Sequence, residues 1–253
     1  MTPLTIAIAN QKGGVGKTTT SINLAAALGA SERSVLLVDS DPQGNATRGL
    51  GAQPTPPHLY HVLSGEAPLS AAIRPSGFPF LDLLPTGRDL VGVEVESVGL
   101  ADWEHRLKTL VLAAATHDFV LIDCPPSLGH LTVMALSAAD QVLVPLQCEY
   151  FALEGISELV STVRRVQSGP NPQLTIGGVL LTMYDDRTKL SKEVADEVRR
   201  HFGAKVFQTV VPRSIRLAEA PSHGLPIFQY DIKSKGAEAY LALARELLER
   251  NPR

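Results

Sequence analysis

A chain of 253 residues, 44% hydrophobic and 19% charged, is long enough for a sizeable core and suits one globular domain spanning residues 1–253. No uncharged apolar run reaches the roughly 18 residues of a membrane span, and Met1-Thr2-Pro3 lacks the basic and apolar segments of a removable leader, so neither membrane insertion nor secretion is expected. The net charge of −3 argues against a nucleic-acid partner, yet residues 160–253 carry 15 Lys and Arg against 10 Asp and Glu, while residues 1–159 carry 8 against 16.

An apolar run, Leu4 to Ala9, reads as a buried strand and feeds the loop Gln11-Lys12-Gly13-Gly14-Val15-Gly16-Lys17-Thr18-Thr19-Thr20. A helix-like run, Ser21 to Leu28, leaves it. Strand, glycine-rich loop and helix are the context of a phosphate-binding loop. Its backbone N–H groups and the helix N-terminus face one anion, Lys17 reaches the outer phosphates, and Thr18 offers a hydroxyl to magnesium. The usual pattern G-x-x-x-x-G-K-[ST] is not quite met: Gln11 stands where its first glycine would be, and Lys12 sits inside the loop.

Val35 to Val38 reads as a strand running into Asp39-Ser40-Asp41-Pro42-Gln43-Gly44-Asn45. Residues 46–63 read as short helices broken by Pro54, Pro56 and Pro57, and Phe80 to Pro85 as a strand. Asp102 to Ala115 has helical spacing of Trp103, Leu107, Leu110, Val111 and Ala114, with Asp102 as N-cap. Phe119 to Asp123 is an apolar strand ending in a carboxylate, Leu128 to Ala139 a helix, and Gln141 to Leu146 a strand. Helices follow at Phe151–Gln167, Lys189–Phe202 and Gly236–Arg250, with strands at Leu174–Thr182 and Val206–Val211 between them. Strands apolar throughout, alternating with amphipathic helices, imply an α/β fold: a mostly parallel twisted sheet flanked by helices on both faces. Cys124 and Cys148 are too few for a disulfide framework, and their apolar surroundings suit buried reduced thiols in the cytoplasm.

In such sheets ligands bind beyond the carboxyl ends of the strands. Three strands end in relevant groups: the loop around Lys17, the pair Asp39 and Asp41, and Asp123. Their convergence on one phosphate–magnesium site points to hydrolysis of a nucleoside triphosphate. Asp123 follows four apolar residues, as a Walker B carboxylate does, and would hold magnesium. Asp41 is the candidate to orient the attacking water, and Asp39 supports the magnesium shell.

Lys12-Gly13-Gly14-Val15-Gly16-Lys17-Thr18-Thr19, Asp39-Ser40-Asp41-Pro42-Gln43-Gly44-Asn45 and Asp123-Cys124-Pro125-Pro126-Ser127 resemble the deviant Walker A, A′ and B motifs of ParA/Soj partitioning ATPases, within the ParA/MinD group of P-loop NTPases. Glu149 to Gly155, Thr182 to Asp185 and Val211 to Ser222 match in the same order. The resemblance implies a single-domain P-loop NTPase fold and weak, magnesium-dependent ATP hydrolysis catalysed by Lys12, Lys17, Asp41 and Asp123. It implies nucleotide contacts from Lys12, Gly13, Gly14, Val15, Gly16, Lys17, Thr18 and Thr19, with Met183, Pro212 and Arg213 at the adenine, and magnesium held through Thr18, Asp39 and Asp123. Two protomers would sandwich ATP through Lys12, Gly13, Glu149, Tyr150 and Phe151, with Lys12 reaching the partner's phosphates. The dimer would bind double-stranded DNA of the nucleoid without sequence preference through Arg187 and Arg216, extended by Lys189, Lys192, Lys233 and Lys235. A ParB/Spo0J-like protein would stimulate hydrolysis.

Cys124 stands where the family often has alanine. The loop begins about ten residues in, so a preceding helix-turn-helix domain is not expected. Three other readings remain open. A MinD-like membrane-associated ATPase would need an amphipathic end, and Leu247 to Arg253 is short and interrupted by Pro252. An iron–sulfur reductase would need cysteines placed for a cluster between subunits, whereas Cys124 adjoins the Walker B motif and Cys148 ends a strand. A DNA-binding module could use ATP as a structural ligand alone.

Overall fold

The computed structural model describes residues 2–113, 116–149 and 152–252, and of residues 152–155 the backbone alone. Eight strands form one sheet: β1 (Leu4–Ile8), β2 (Val35–Asp39), β3 (Arg74–Pro75), β4 (Leu81–Leu84), β5 (Phe119–Asp123), β6 (Gln141–Gln147), β7 (Thr175–Tyr184) and β8 (Val206–Pro212). Their order is β3-β4-β2-β5-β1-β6-β7-β8. Every neighbouring pair is parallel except β3 and β4, an antiparallel edge of two residues per strand.

The strands are apolar throughout because both faces are covered. Alternate residues divide between two cores. Ala7, Leu36, Val38, Val120 and Ile122 pack on one face with Leu107, Val111, Met134, Leu159, Val163, Val194 and Val198, which come from helices Arg106–Ala113, His130–Ala138, Ala152–Gln167 and Lys189–Phe202. Leu4, Ile6, Ile8, Val35, Leu37 and Leu121 pack on the other face with Ile22, Leu24, Leu28, Leu243 and Leu247, from helices Lys17–Ala30 and Lys235–Arg250. Each such buried side chain contributes about 1.5–3 kcal/mol.

Two differences from the sequence reading have physical causes. The first helix starts at Lys17, a turn before its apolar residues begin, because its opening turn belongs to the phosphate loop. The helix read from Asp102 begins instead as a 3-10 turn, Trp103–His105, and becomes α-helical over Arg106–Ala113. Asp102 adopts φ 56° and its side chain makes no capping bond, which corrects the N-cap reading. An N-cap needs extended backbone to aim its carboxylate at the first free amides. Ala114 and Ala115 lie outside the described residues.

The closing helix is tied to the helix of the phosphate loop by a buried polar contact. Tyr240, fully buried, places its hydroxyl 3.1 Å from Thr20 Oγ1. Replacing Tyr240 by Phe leaves the Thr20 hydroxyl without that partner. The substitution should cost about 1–2 kcal/mol of stability, read as a lower midpoint in urea unfolding with an unchanged slope.

Candidate functional site

The carboxyl ends of β1, β2 and β5 lie side by side, with Ile8 and Asp39 each in register with Asp123. The loop after β1 is pinned from below. Asn10 donates through Nδ2 to the Pro145 carbonyl (2.7 Å) and accepts the Lys12 N–H on Oδ1 (3.0 Å). Thr182 at the end of β7 donates to the Val15 carbonyl (2.9 Å). Gly14 (φ 75°) and Gly16 (φ 88°) take the left-handed backbone that side chains resist. Gly16 then caps the Lys17–Ala30 helix, whose free N–H groups and positive dipole end form an anion site.

A cleft of about 510 Å³ opens over this loop, lined by Gly13, Gly14, Gly16, Lys17, Thr18, Thr19 and Asp41. Its walls also carry Asn45, Arg48, Gly49, Pro126, Met183, Pro221 and Ser222. Lys17 is buried and donates to the Lys12 carbonyl at 3.2 Å.

The acidic groups differ in how they are held. Asp123 is fully buried and accepts from Thr18 Oγ1 (2.8 Å) on one oxygen and Ser21 Oγ (2.7 Å) on the other. Asp39, equally buried, accepts the Thr47 hydroxyl (2.6 Å) and amide (2.7 Å) on Oδ2 and the Asp41 amide (3.2 Å) on Oδ1. Asp41 is 5% exposed and closes a local turn by accepting the Gln43 amide on Oδ1 (2.9 Å).

Burial pushes the Asp39 carboxyl up to about 6, opposed by the hydrogen bonds from Thr47. Burial, and after it the charge of Asp39, push Asp123 up to about 7. Burial also lowers the Lys17 ammonium, opposed by Asp123 and Asp41. Burial is the main cause of all three shifts, and the neighbouring carboxylate adds to it at Asp123. Hard oxygen donors from Thr18 and Asp123, with Asp39 behind them, beside an anion cradle fit a magnesium ion carried with a phosphate chain.

The structure separates the other expected residues. Lys12 stands at the cleft rim, 38% exposed, and pairs at 2.9 Å with Glu149, which also accepts a hydrogen bond from Gln147. Tyr150 and Phe151, expected at a dimer contact, lie outside the described residues. Met183 lines the phosphate cleft, with φ 50°, whereas Pro212 and Arg213 line a neighbouring cleft of about 910 Å³ with Arg187 and Lys235. Arg187 forms a two-pronged pair with Asp185 (2.8 and 2.7 Å), which holds that carboxyl down at about 2. Arg216 pairs with Glu219 (3.0 Å) and Asp231 (3.5 Å), and Lys189 with Glu193 (3.1 Å). Lys192, Lys233 and Lys235 are exposed and form no ion pair among the described residues.

Ser21, Arg48, Pro126, Pro221 and Ser222 were not among the expected site residues. Ser21 had a signal: it lies one helical turn after Lys17, on the face toward Asp123. Arg48 sits one turn past the A′ loop and lines the cleft, with its guanidinium on the Gln43 carbonyl.

An AAA-domain family model matches residues 4–176. The chromosome partitioning protein ParA of Caulobacter vibrioides is 53% identical over 250 residues, covering 97% of this chain and 94% of that protein. The sporulation initiation inhibitor protein Soj of Bacillus subtilis is 52% identical over 245 residues, covering 96% and 97%. Among solved structures, cobyrinic acid a,c-diamide synthase from Mycobacterium smegmatis, with bound ADP and magnesium, superposes with a TM-score of 0.87. It is 39% identical, over 99% of this chain and 97% of that one.

In the unfolded chain Asp123 ionises near 4, whereas the folded chain holds its proton to about 7. The folded state thus binds more protons across that window, and this group costs stability as pH rises through it. Without nucleotide or magnesium, the melting temperature of Asp123→Asn relative to wild type should improve steadily from about pH 4 to about pH 7 and then level off. Parallel melting curves across the window would contradict the charge account.

Proposed function

The chain belongs to the ParA/Soj family of partitioning P-loop ATPases and hydrolyses ATP with magnesium. From that premise we propose that ATP joins two copies into a dimer that holds DNA without sequence preference, and that hydrolysis releases it. A ParB-type protein stimulates the hydrolysis, and the chain works in the cytoplasm on the nucleoid. The shared fold with cobyrinic acid a,c-diamide synthase does not carry that protein's named activity, because function resides in sites rather than folds.

The observation that carries the reading is the position of Lys12. A second lysine in a phosphate loop is redundant if it serves its own cleft, where Lys17 is already buried. Lys12 instead projects at the rim, and among the described residues its ion pair is with Glu149. A second protomer facing the rim brings a triphosphate within reach of it. ATP binding and association then become one linked equilibrium.

The remaining steps are positioning and charge neutralisation. The loop amides and Lys17 hold the phosphates, and Thr18 and Asp123 hold magnesium, with Asp39 behind them. A magnesium ion held there would supply positive charge against the phosphates. Asp41 orients the attacking water, and Met183, Pro212 and Arg213 border the base. Gly13 and the stretch from Glu149 through Tyr150 and Phe151 meet the partner. Arg187 and Arg216 meet DNA, with Lys189, Lys192, Lys233 and Lys235 extending the patch. Arg187 and Arg216 already carry carboxylate partners, so DNA phosphates must displace these, and binding weakens steeply with salt.

No helix among the described residues is long and apolar enough to cross a membrane. The closing helix buries Tyr240, Leu243 and Leu247 in the core, which weighs against a MinD-like surface anchor.

DNA co-sedimentation with ATP, ADP and no nucleotide tests the cycle. Wild type should bind with ATP alone, and Asp41→Ala should stay bound far longer, its stimulated hydrolysis reduced about a hundredfold or more. Binding that ignores nucleotide would sink the proposal. Lys12→Ala should abolish the ATP-loaded dimer, seen by light scattering, while ATP affinity falls less than about tenfold. Loss of ATP binding with the dimer intact would overturn the role of Lys12. Arg216→Glu should lose DNA and keep the dimer.

A further inference from the structure

We propose that His58, His61 and Asp89 form a binding site for a divalent transition-metal ion of the zinc class, separate from the magnesium site. His58 immediately precedes the short helix Leu59–Leu63, and His61 lies three residues on, within it. Asp89 comes from the 3-10 turn Arg88–Leu90 that follows β4. One ligand atom from each lies within 4.8 Å of the other two. Two imidazole nitrogens and one carboxylate oxygen are the donor set of three-ligand zinc sites, with water in the fourth position.

The scaffold around the three groups is firm. Leu59, Val62, Leu63 and Leu90 are buried in the core on either side, and the Leu59 amide donates to the Pro85 carbonyl (2.9 Å). The His58 side chain is 2% exposed, and its Nδ1 is buried with no hydrogen-bond partner among the described residues. Nε2 is the nitrogen turned toward Asp89, so it is the atom that would ligate, from a ring held in place by its burial. Space is kept open at Gly87: a Cβ there would stand 2.8 Å from both His58 Nε2 and Asp89 Oδ1.

Little must be dismantled to admit an ion. His58 Nε2 is 3.2 Å from Asp89 Oδ2, and the His58 amide makes one long bond (3.4 Å) to His61 Nδ1. Tetrahedral zinc with bonds of about 2.0–2.1 Å sets its ligand atoms about 3.3 Å apart, so the groups must close by up to about 1.5 Å. His61 and Asp89 are partly exposed and have the freedom to do so. Arg74, whose charge acts on His58, already donates to the Gln53 and Pro57 carbonyls (3.1 and 3.2 Å). Closure would clamp the Leu59–Leu63 helix to the turn that begins at Thr86. The Thr86 amide donates to Thr47 Oγ1 (3.0 Å), which in turn donates to Asp39.

The test titrates the tag-free full chain with Co²⁺ and then competes with Zn²⁺, in excess Mg²⁺ and without nucleotide, so the phosphate site takes no part. Wild type should bind one equivalent of Co²⁺ with a visible tetrahedral absorption band, and Zn²⁺ should displace it and raise the melting temperature. His61→Ala and Asp89→Ala should each bind at least about tenfold more weakly and lose the thermal shift, with metal-free melting temperatures near wild type. No Co²⁺ or Zn²⁺ uptake by wild type, or equal uptake by wild type and both variants through the other histidines, would overturn the site.

Discussion

The structure depends on two carboxyl groups placed side by side where water cannot reach them. Asp39 and Asp123 end adjacent parallel strands in register, and both are fully buried. Like charges in a low dielectric repel strongly and lose their hydration. The fold blunts this with hydrogen bonds from Thr47, Thr18 and Ser21, and with the buried ammonium of Lys17 nearby. These do not balance the site, since both carboxyls are still pushed well above the usual carboxylate range. In the proposed reading a divalent cation carried with a phosphate chain would complete the balance, and the cost of the empty arrangement would become binding energy for the filled one.

The sheet topology makes that placement possible. From β1 the chain runs to one side through β2 and β4, then crosses back to β5 between β2 and β1, and continues outward through β6, β7 and β8. Every strand that matters points its carboxyl end at the same edge, so residues 17, 41 and 123 converge although far apart in sequence. Parallel pairing is what demands covered faces, and covered faces are what make the strands apolar throughout. The same constraint that hides the sheet faces therefore leaves its carboxyl ends as the place for polar, recessed groups.

That logic also explains what the sequence could reveal. Runs such as Phe119 to Asp123, four apolar residues and then an acid, have one good explanation in a covered sheet, and the loop around Lys17 has one good explanation before a helix. Asp102 shows the opposite case. Its type and place suited an N-cap, but the preceding turn sets it at φ 56°, a backbone state no residue pattern announces. Arg48 and Ser222 reach the cleft through short helices whose few residues leave no periodicity to read. His58 and Asp89 meet across 31 residues because β4 returns the chain beside the Leu59–Leu63 helix, and their pairing is a fact of topology alone. The sequence likewise placed a basic surface in the last third without showing that Arg187 and Arg216 bring their own carboxylates.

Lys12 and Glu149 complete the physical picture. Their ion pair is partly exposed, with the two side chains 38% and 44% accessible, and pairs of that kind contribute only about 0–1 kcal/mol. Such a pair biases the lysine only slightly, and in the proposed dimer it would yield to a triphosphate. A partner protomer offering ADP brings less negative charge to the exchange than one offering ATP. Discrimination between nucleotides can thus arise at the rim, from the difference between a cheap internal pair and a rich external anion. In the proposed dimer the buried part of the site binds phosphate, and the exposed lysine links that binding to assembly.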